Sequence, residues 1–272
     1  MRSRWLSFAV LATALILSVG CQSSGGDDGV TAPDMGSAVD LPSTGGTSPT
    51  TEEEALTLFS GAASALMSQI ETSGYTPTGS ARAARATSDQ SGVISWTGSY
   101  GGGTVDISGT YASLSTIPDE YIALALGGSL PNSTFAITSS LDLDLSGTVS
   151  AVELSHEGNT YTVSGRMVEE IASNTNCVIR TTSSGLLQDA TISGTYAMTL
   201  VYGMAMSVVN QGGVGAKFII SVAASGSGQL DDPEGDASVD GTATLTVYDD
   251  ANTVLYEIDL TSEEMPGSGG FE

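Results

Sequence analysis

Carboxylates are plentiful, but the histidine and thiols that catalysis most often uses are few and scattered. The one histidine, His156, stands beside Glu157 near an expected hairpin turn, and the two thiols, Cys21 and Cys177, lie far from it in the chain. A hydrolytic triad needs a histidine between a nucleophile and an acid. No local motif assembles one: there is no G-x-S-x-G elbow, no phosphate-binding G-K-[ST] loop and no Cys or His spacing of the metal-binding type. The chain reads as non-enzymatic and without an obligatory cofactor, with His156 an exposed turn residue and Cys177 a small buried hydrophobe.

Two acidic patterns bear on calcium. Asp231, Asp232, Glu234, Asp236 and Asp240 crowd a Gly- and Pro-containing stretch, and oxygen ligands in a loop suit that ion, although solvated surface acids have the same signature. Asp142, Asp144, Ser146, Gly147 and Glu153 match positions 1, 3, 5, 6 and 12 of an EF-hand loop. Leu141, Leu143 and Leu145 alternate with those acids as in a half-buried strand, however, and the flanks are not helical. A third pattern is apolar. Tyr196, Met198, Leu200, Tyr202, Met204, Met206 and Val208 fall on one face of a long alternating stretch. Methionine adapts to irregular space, so Tyr196, Met198, Tyr202, Met204 and Met206 are candidate contacts for an apolar ligand. Ordinary core packing explains them equally well.

The N-terminus is the most specific signal. Arg2 and Arg4 precede an apolar run from Leu6 to Leu17, followed by Ser18-Val19-Gly20-Cys21. The run is shorter than the roughly 20 apolar residues that span a bilayer. This order resembles the signal peptide of bacterial lipoproteins, with Ser18 standing where a leucine is usual. The resemblance implies that residues 1–20 are removed and that Cys21 carries a thioether-linked diacylglycerol, usually with a further acyl chain on its amine. Two or three chains anchor a protein durably. A conventionally cleaved secreted protein is the alternative. Gln22 after the cysteine points, by the same resemblance, to the outer rather than the inner membrane.

Composition narrows the partners. The chain has 31 acidic and 7 basic residues, and loss of Arg2 and Arg4 leaves 5 basic residues. Such a surface repels nucleic acid, which needs Lys and Arg to neutralise phosphate. The expected partners are a membrane through the lipid anchor and either an apolar ligand or an envelope protein.

The elements follow from periodicity. Residues 21–50 read as the lipidated cysteine and a flexible Gly/Ser/Thr/Pro tether, 51–262 as a single β-rich domain, and 263–272 as a flexible tail. A helix over 52–72 is expected from the Thr51 and Glu54 capping box, with Leu56, Phe59, Ala63, Leu66 and Ile70 on one face. A loose segment from Thr76 to Gln90 follows it. From Val93 the period becomes two, with strands expected at Val93–Tyr100, Thr104–Leu114, Thr134–Leu145, Thr148–His156, Thr160–Ile171, Cys177–Thr182, Ala190–Val209, Ala216–Ala224, Ser238–Tyr248 and Thr253–Leu260. Pro118–Leu126 is ambiguous between helix and strand. Short links predict an antiparallel meander. Five strand glycines, Gly109, Gly147, Gly165, Gly194 and Gly241, recur in similar contexts. They suggest a sheet curled into a half-barrel or open barrel, with the helix seated in glycine notches on the concave face. The leading functional expectation is a non-catalytic envelope lipoprotein that binds or scaffolds. The alternatives are a half-barrel carrier of an apolar ligand or lipid, and a calcium-dependent adhesive module.

Overall fold

A computed structural model describes residues 30–72, 78–84, 87–230 and 238–260. Nine strands form one antiparallel sheet in sequential order: β1 (Thr78–Ala84), β2 (Thr87–Tyr100), β3 (Gly103–Thr116), β4 (Thr134–His156), β5 (Asn159–Arg180), β6 (Thr191–Asn210), β7 (Gly215–Gln229), β8 (Ser238–Tyr248) and β9 (Val254–Asp259). The sheet is an open half-barrel, and helix α1 (Glu52–Thr72) lies in its hollow. A short second helix, α2 (Asp119–Ala125), occupies the ambiguous stretch.

Tight turns impose the meander. Gly101 and Gly102 link β2 to β3 with positive φ, and Glu157 and Gly158 do the same between β4 and β5, which is the backbone twist that two-residue hairpins favour. Several strands are longer than expected. β4 runs through Ser146-Gly147 without a break, because that pair stays in register with Ser108 and Ile107 on one side and Val168 and Met167 on the other. Its irregularity comes later, between Val149 and Val152, where Ala151 has φ 51°. β5 merges two expected strands, and β6 continues through Gly203. The expected loose segment contains the β1–β2 hairpin.

α1 begins as its sequence dictates. Thr51 accepts a hydrogen bond from the Glu54 backbone N–H at 3.1 Å, and the Glu54 carboxylate accepts from the Thr50 N–H at 2.7 Å, one residue earlier than a reciprocal capping box would have it. Its buried face is rotated from the expected one. Ala55, Leu58, Ala62, Ala65 and Leu66 meet the sheet, while Leu56 and Phe59 pack at the margins. Alanines let a helix backbone approach closely, and the larger side chains fill the flanks. Phe59 lies against Phe218, with ring centroids 5.5 Å apart. Ile70 belongs to the helix, but its side chain lies outside the described residues, as does the expected stop at Gly74.

The glycine notches do not receive the helix as expected. Gly109, Gly147 and Gly165 share the helix-side face and step diagonally across β3, β4 and β5. A β-carbon there would strike the neighbouring strand, at Asp144 O, Ile107 and Ala205 O respectively. They permit close, coiled strand packing instead. The close approach of helix to sheet uses a glycine of the helix, Gly61, which faces the Tyr161 ring.

The largest departure concerns the tether. Residues 30–50 are not free chain: Met35, Ala38, Leu41 and Pro49 are buried, and the segment forms a strap on the face of the sheet opposite α1. Met35 and Leu41 pack with Ala205, Val168 and Ile219. Two cations hold strap carbonyls: Arg166 donates to Met35 O, and Lys217, only 3% exposed, donates to Ala38 O at 3.2 Å and to Asn252 at 2.8 Å. Ser221 donates to Pro33 O. The strap then rounds the β6–β7 hairpin, where Thr47 pairs with Val214 and the N–H of Thr47 bonds Gly213 O at 2.8 Å.

Candidate functional site

β6 places the Tyr and Met stripe on the helix side, as its alternation requires. Registers put Met204 between Met167 and Ile220, and Met206 between Gly165 and Phe218. Met204 is 5% exposed and Met206 1%, so both sit in the filled core beneath α1. Tyr202 lies between Glu169 and Val222, and its hydroxyl reaches the Met204 sulfur at 3.7 Å. Met198 and Tyr196, further along the strand, are half-buried. The stripe thus passes from dense core to a more open part of the sheet.

A groove of about 430 Å³ crosses β3 to β6 at that open end. It is lined by consecutive triplets centred on Ser113, Leu141, Ser173 and Met198. Most lining residues, including Ala112, Asp142, Ala172 and Thr199, belong to the face away from α1, because they alternate with Leu141 and Met198. Of the stripe, only Met198 takes part.

Glu169 is a buried acid that no sequence motif singles out. It is 8% exposed and stands in the helix-side row between Leu145 and Tyr202. Burial pushes its carboxyl up to about 6. Burial first, and the Glu169 charge second, push the Tyr202 phenol upward. The signal was present in the alternation: position 169 has the same parity as Val163, Met167 and Ile171. A carboxylate in that row must be desolvated.

The remaining candidates are dispersed. His156 and Glu157 border a shallow polar groove of about 230 Å³ between α1 and the β4–β5 hairpin, with Ser60, Ser64, Asn159 and Tyr161. Cys177 is half-buried on β5, beside the small cluster of Leu124, Phe135 and Ile179, and burial pushes its thiol up. It lies in a different part of the sheet from His156. Asp142, Asp144 and Ser146 lie on β4 within a continuous ladder, so the EF-hand spacing is strand and not loop. Asp240 is on β8 opposite Ser225. Asp231, Asp232, Glu234 and Asp236 lie outside the described residues, as do Cys21 and the 263–272 tail. Among the described residues, no three His, Cys, Asp or Glu side chains come together in a way that could hold a metal ion. No described helix is long and apolar enough to cross a membrane.

Asp250 does have a well-defined structural role. At the β8–β9 turn its carboxylate accepts from the Thr44 N–H at 2.8 Å, the Gly45 N–H at 2.9 Å and the Ser43 hydroxyl at 2.8 Å. Partial burial raises its pKa, but these strap hydrogen bonds outweigh that effect and hold it below the usual carboxylate value. The chain matches no protein-family model, no curated protein and no solved structure.

Proposed function

We propose that this protein is a non-catalytic lipoprotein of the bacterial envelope, anchored through Cys21, whose folded domain binds or scaffolds another envelope component. The observation that carries the reading is the N-terminal order of Arg2 and Arg4, the Leu6–Leu17 run and Ser18-Val19-Gly20-Cys21. A soluble, acidic domain behind such a signal depends on acyl chains for membrane attachment. The packing of Met204, Met206 and Phe218 supports a scaffold over a carrier, because a carrier's cavity belongs where these side chains fill the interior.

The test is metabolic labelling with an alkyne-tagged fatty acid. The full-length protein takes up label and fractionates with the outer membrane, whereas Cys21→Ser does neither. Label uptake unchanged by Cys21→Ser overturns the reading. Mass spectrometry of the detergent-extracted protein separates the alternatives: a stoichiometric lipid or apolar molecule beyond the anchor establishes a carrier.

A further inference from the structure

We propose that the strap is a releasable length of tether, which peels from the sheet under a pull on the N-terminus and gives the folded domain two reaches, a short one with residues 33–50 docked and a long one with them free. The inference rests on the Cys21 anchor, since only an anchored end carries load. It follows from how the strap is bonded and from what lies beneath it.

With the strap docked, the chain from Cys21 to Pro33, the first described residue bonded to the sheet, extends no further than about 43 Å at 3.3–3.6 Å per residue. With the strap free, the chain runs from Cys21 to Thr51 at the start of α1, and its limit rises to roughly 105 Å. Release more than doubles the reach, so a domain held by another envelope component stays tethered as its distance from the membrane changes.

The attachments are discrete and come in sequence. From the N-terminal side the load meets Ser221 on Pro33 O, Arg166 on Met35 O, Lys217 on Ala38 O, the Asp250 carboxylate on the Thr44 and Gly45 N–H groups, and last the pairing of Thr47 with Val214. No continuous ladder joins them among the described residues, so they give way one after another instead of sharing the load.

The sheet beneath keeps its core when the strap leaves. Met35 and Leu41 form a small cluster with Ala205, Val168 and Ile219, whereas Met204, Met206 and Phe218 alternate with those positions along β6 and β7 and belong to the main core under α1. Release orphans no charge either. The Lys217 ammonium exchanges Ala38 O for water and keeps Asn252 at 2.8 Å, while the Arg166 guanidinium and the Asp250 carboxylate meet solvent. An opening that spares the main core and leaves its uncovered polar groups hydrated costs far less than global unfolding.

The test is single-molecule stretching of the full-length chain, purified without lipidation so that the Cys21 thiol takes one handle. Cys177→Ser removes the other native thiol, and Ser146→Cys, exposed on the strap-side face of β4, takes the second handle. The expected record has a first, reversible step that lengthens the chain by up to about 60 Å, the extended length of residues 33–50, and only at higher force the loss of helix and sheet. Gly203→Val, which drives a side chain into Pro33 and Met35, and Asp250→Ala, which removes the Thr44 and Gly45 bonds, each shift the first step to lower force and leave the second where it is. A single step in which strap and sheet come apart together overturns the release, whatever the fate of Cys21. Absence of fatty-acid label from the full-length protein overturns the membrane tether while leaving the first step in the record.

Discussion

The half of the sheet under α1 and the strap differs sharply from the half beyond them. From Gly203 to Ser207 and on to Val208, every β6 residue is buried, and so is Gly215–Phe218 of β7. Alternation disappears there because α1 covers one face and the strap the other. In the other half, β4 alternates half-buried and exposed from Leu141 to Thr148, and the groove by Met198 opens across it. The same kind of strand thus acts as core where it is clad twice and as display surface where it is not. Apolar character alone does not tell which, since Met198 and Met206 have the same type and parity.

Stability measurements sharpen this contrast. Phe218→Ala removes a fully buried ring that touches Phe59, and denaturant melts are expected to show a loss of about 3–5 kcal/mol. Gly203→Val drives a side chain into Pro33 and Met35. It is expected to cost about 1–3 kcal/mol and to make residues 30–50 cleavable by protease without unfolding the sheet.

Glu169→Gln acts through pH. Burial holds the folded carboxyl at about 6, above the ordinary glutamate value, so the native state binds the proton more tightly. Native stability therefore falls as pH rises from the unfolded value through the folded one, and the loss is complete above it. Glu169→Gln is expected to gain about 1–2 kcal/mol at pH 7 and to lose that gain at pH 4. A difference that does not vary with pH refutes the burial argument. Met198→Ala, on the open half, is expected to change stability by less than about 0.5 kcal/mol. A core-sized loss there would erase the distinction from Met206.

Period two carried the sheet in the sequence, as did the short turns around Gly101–Gly102 and Glu157–Gly158, and the Thr51–Glu54 start located α1. Its inner face is only partly legible: Leu66 lies on it as expected, but Ala55, Ala62 and Ala65 make the close approach, and Phe59 reaches Phe218 from the margin. Low complexity conceals the strap, since a Gly/Ser/Thr/Pro composition reads as free chain. Its apolar residues, Pro33, Met35, Ala38, Leu41 and Pro49, follow neither helical nor strand periodicity, since an irregular segment is held by its carbonyls and by Gly203 and Gly215 on the receiving sheet. Lys217 marks the place: a lysine in a buried strand must find acceptors, and here the strap and Asn252 supply them. Glu169 is legible by parity alone, since no catalytic motif accompanies it.

Native-state hydrogen exchange tests most directly whether residues 30–50 belong to the fold. The Thr47 N–H, bonded to Gly213 O, and the Thr44 and Gly45 N–H groups, bonded to Asp250, are expected to exchange at least about a hundredfold more slowly than free peptide. The Thr44 and Gly45 N–H groups should lose protection, relative to free peptide at the same pH, in Asp250→Ala or as pH falls through the depressed Asp250 pKa. Exchange at free-peptide rates throughout 30–50 in the native protein would contradict the account and restore the long tether.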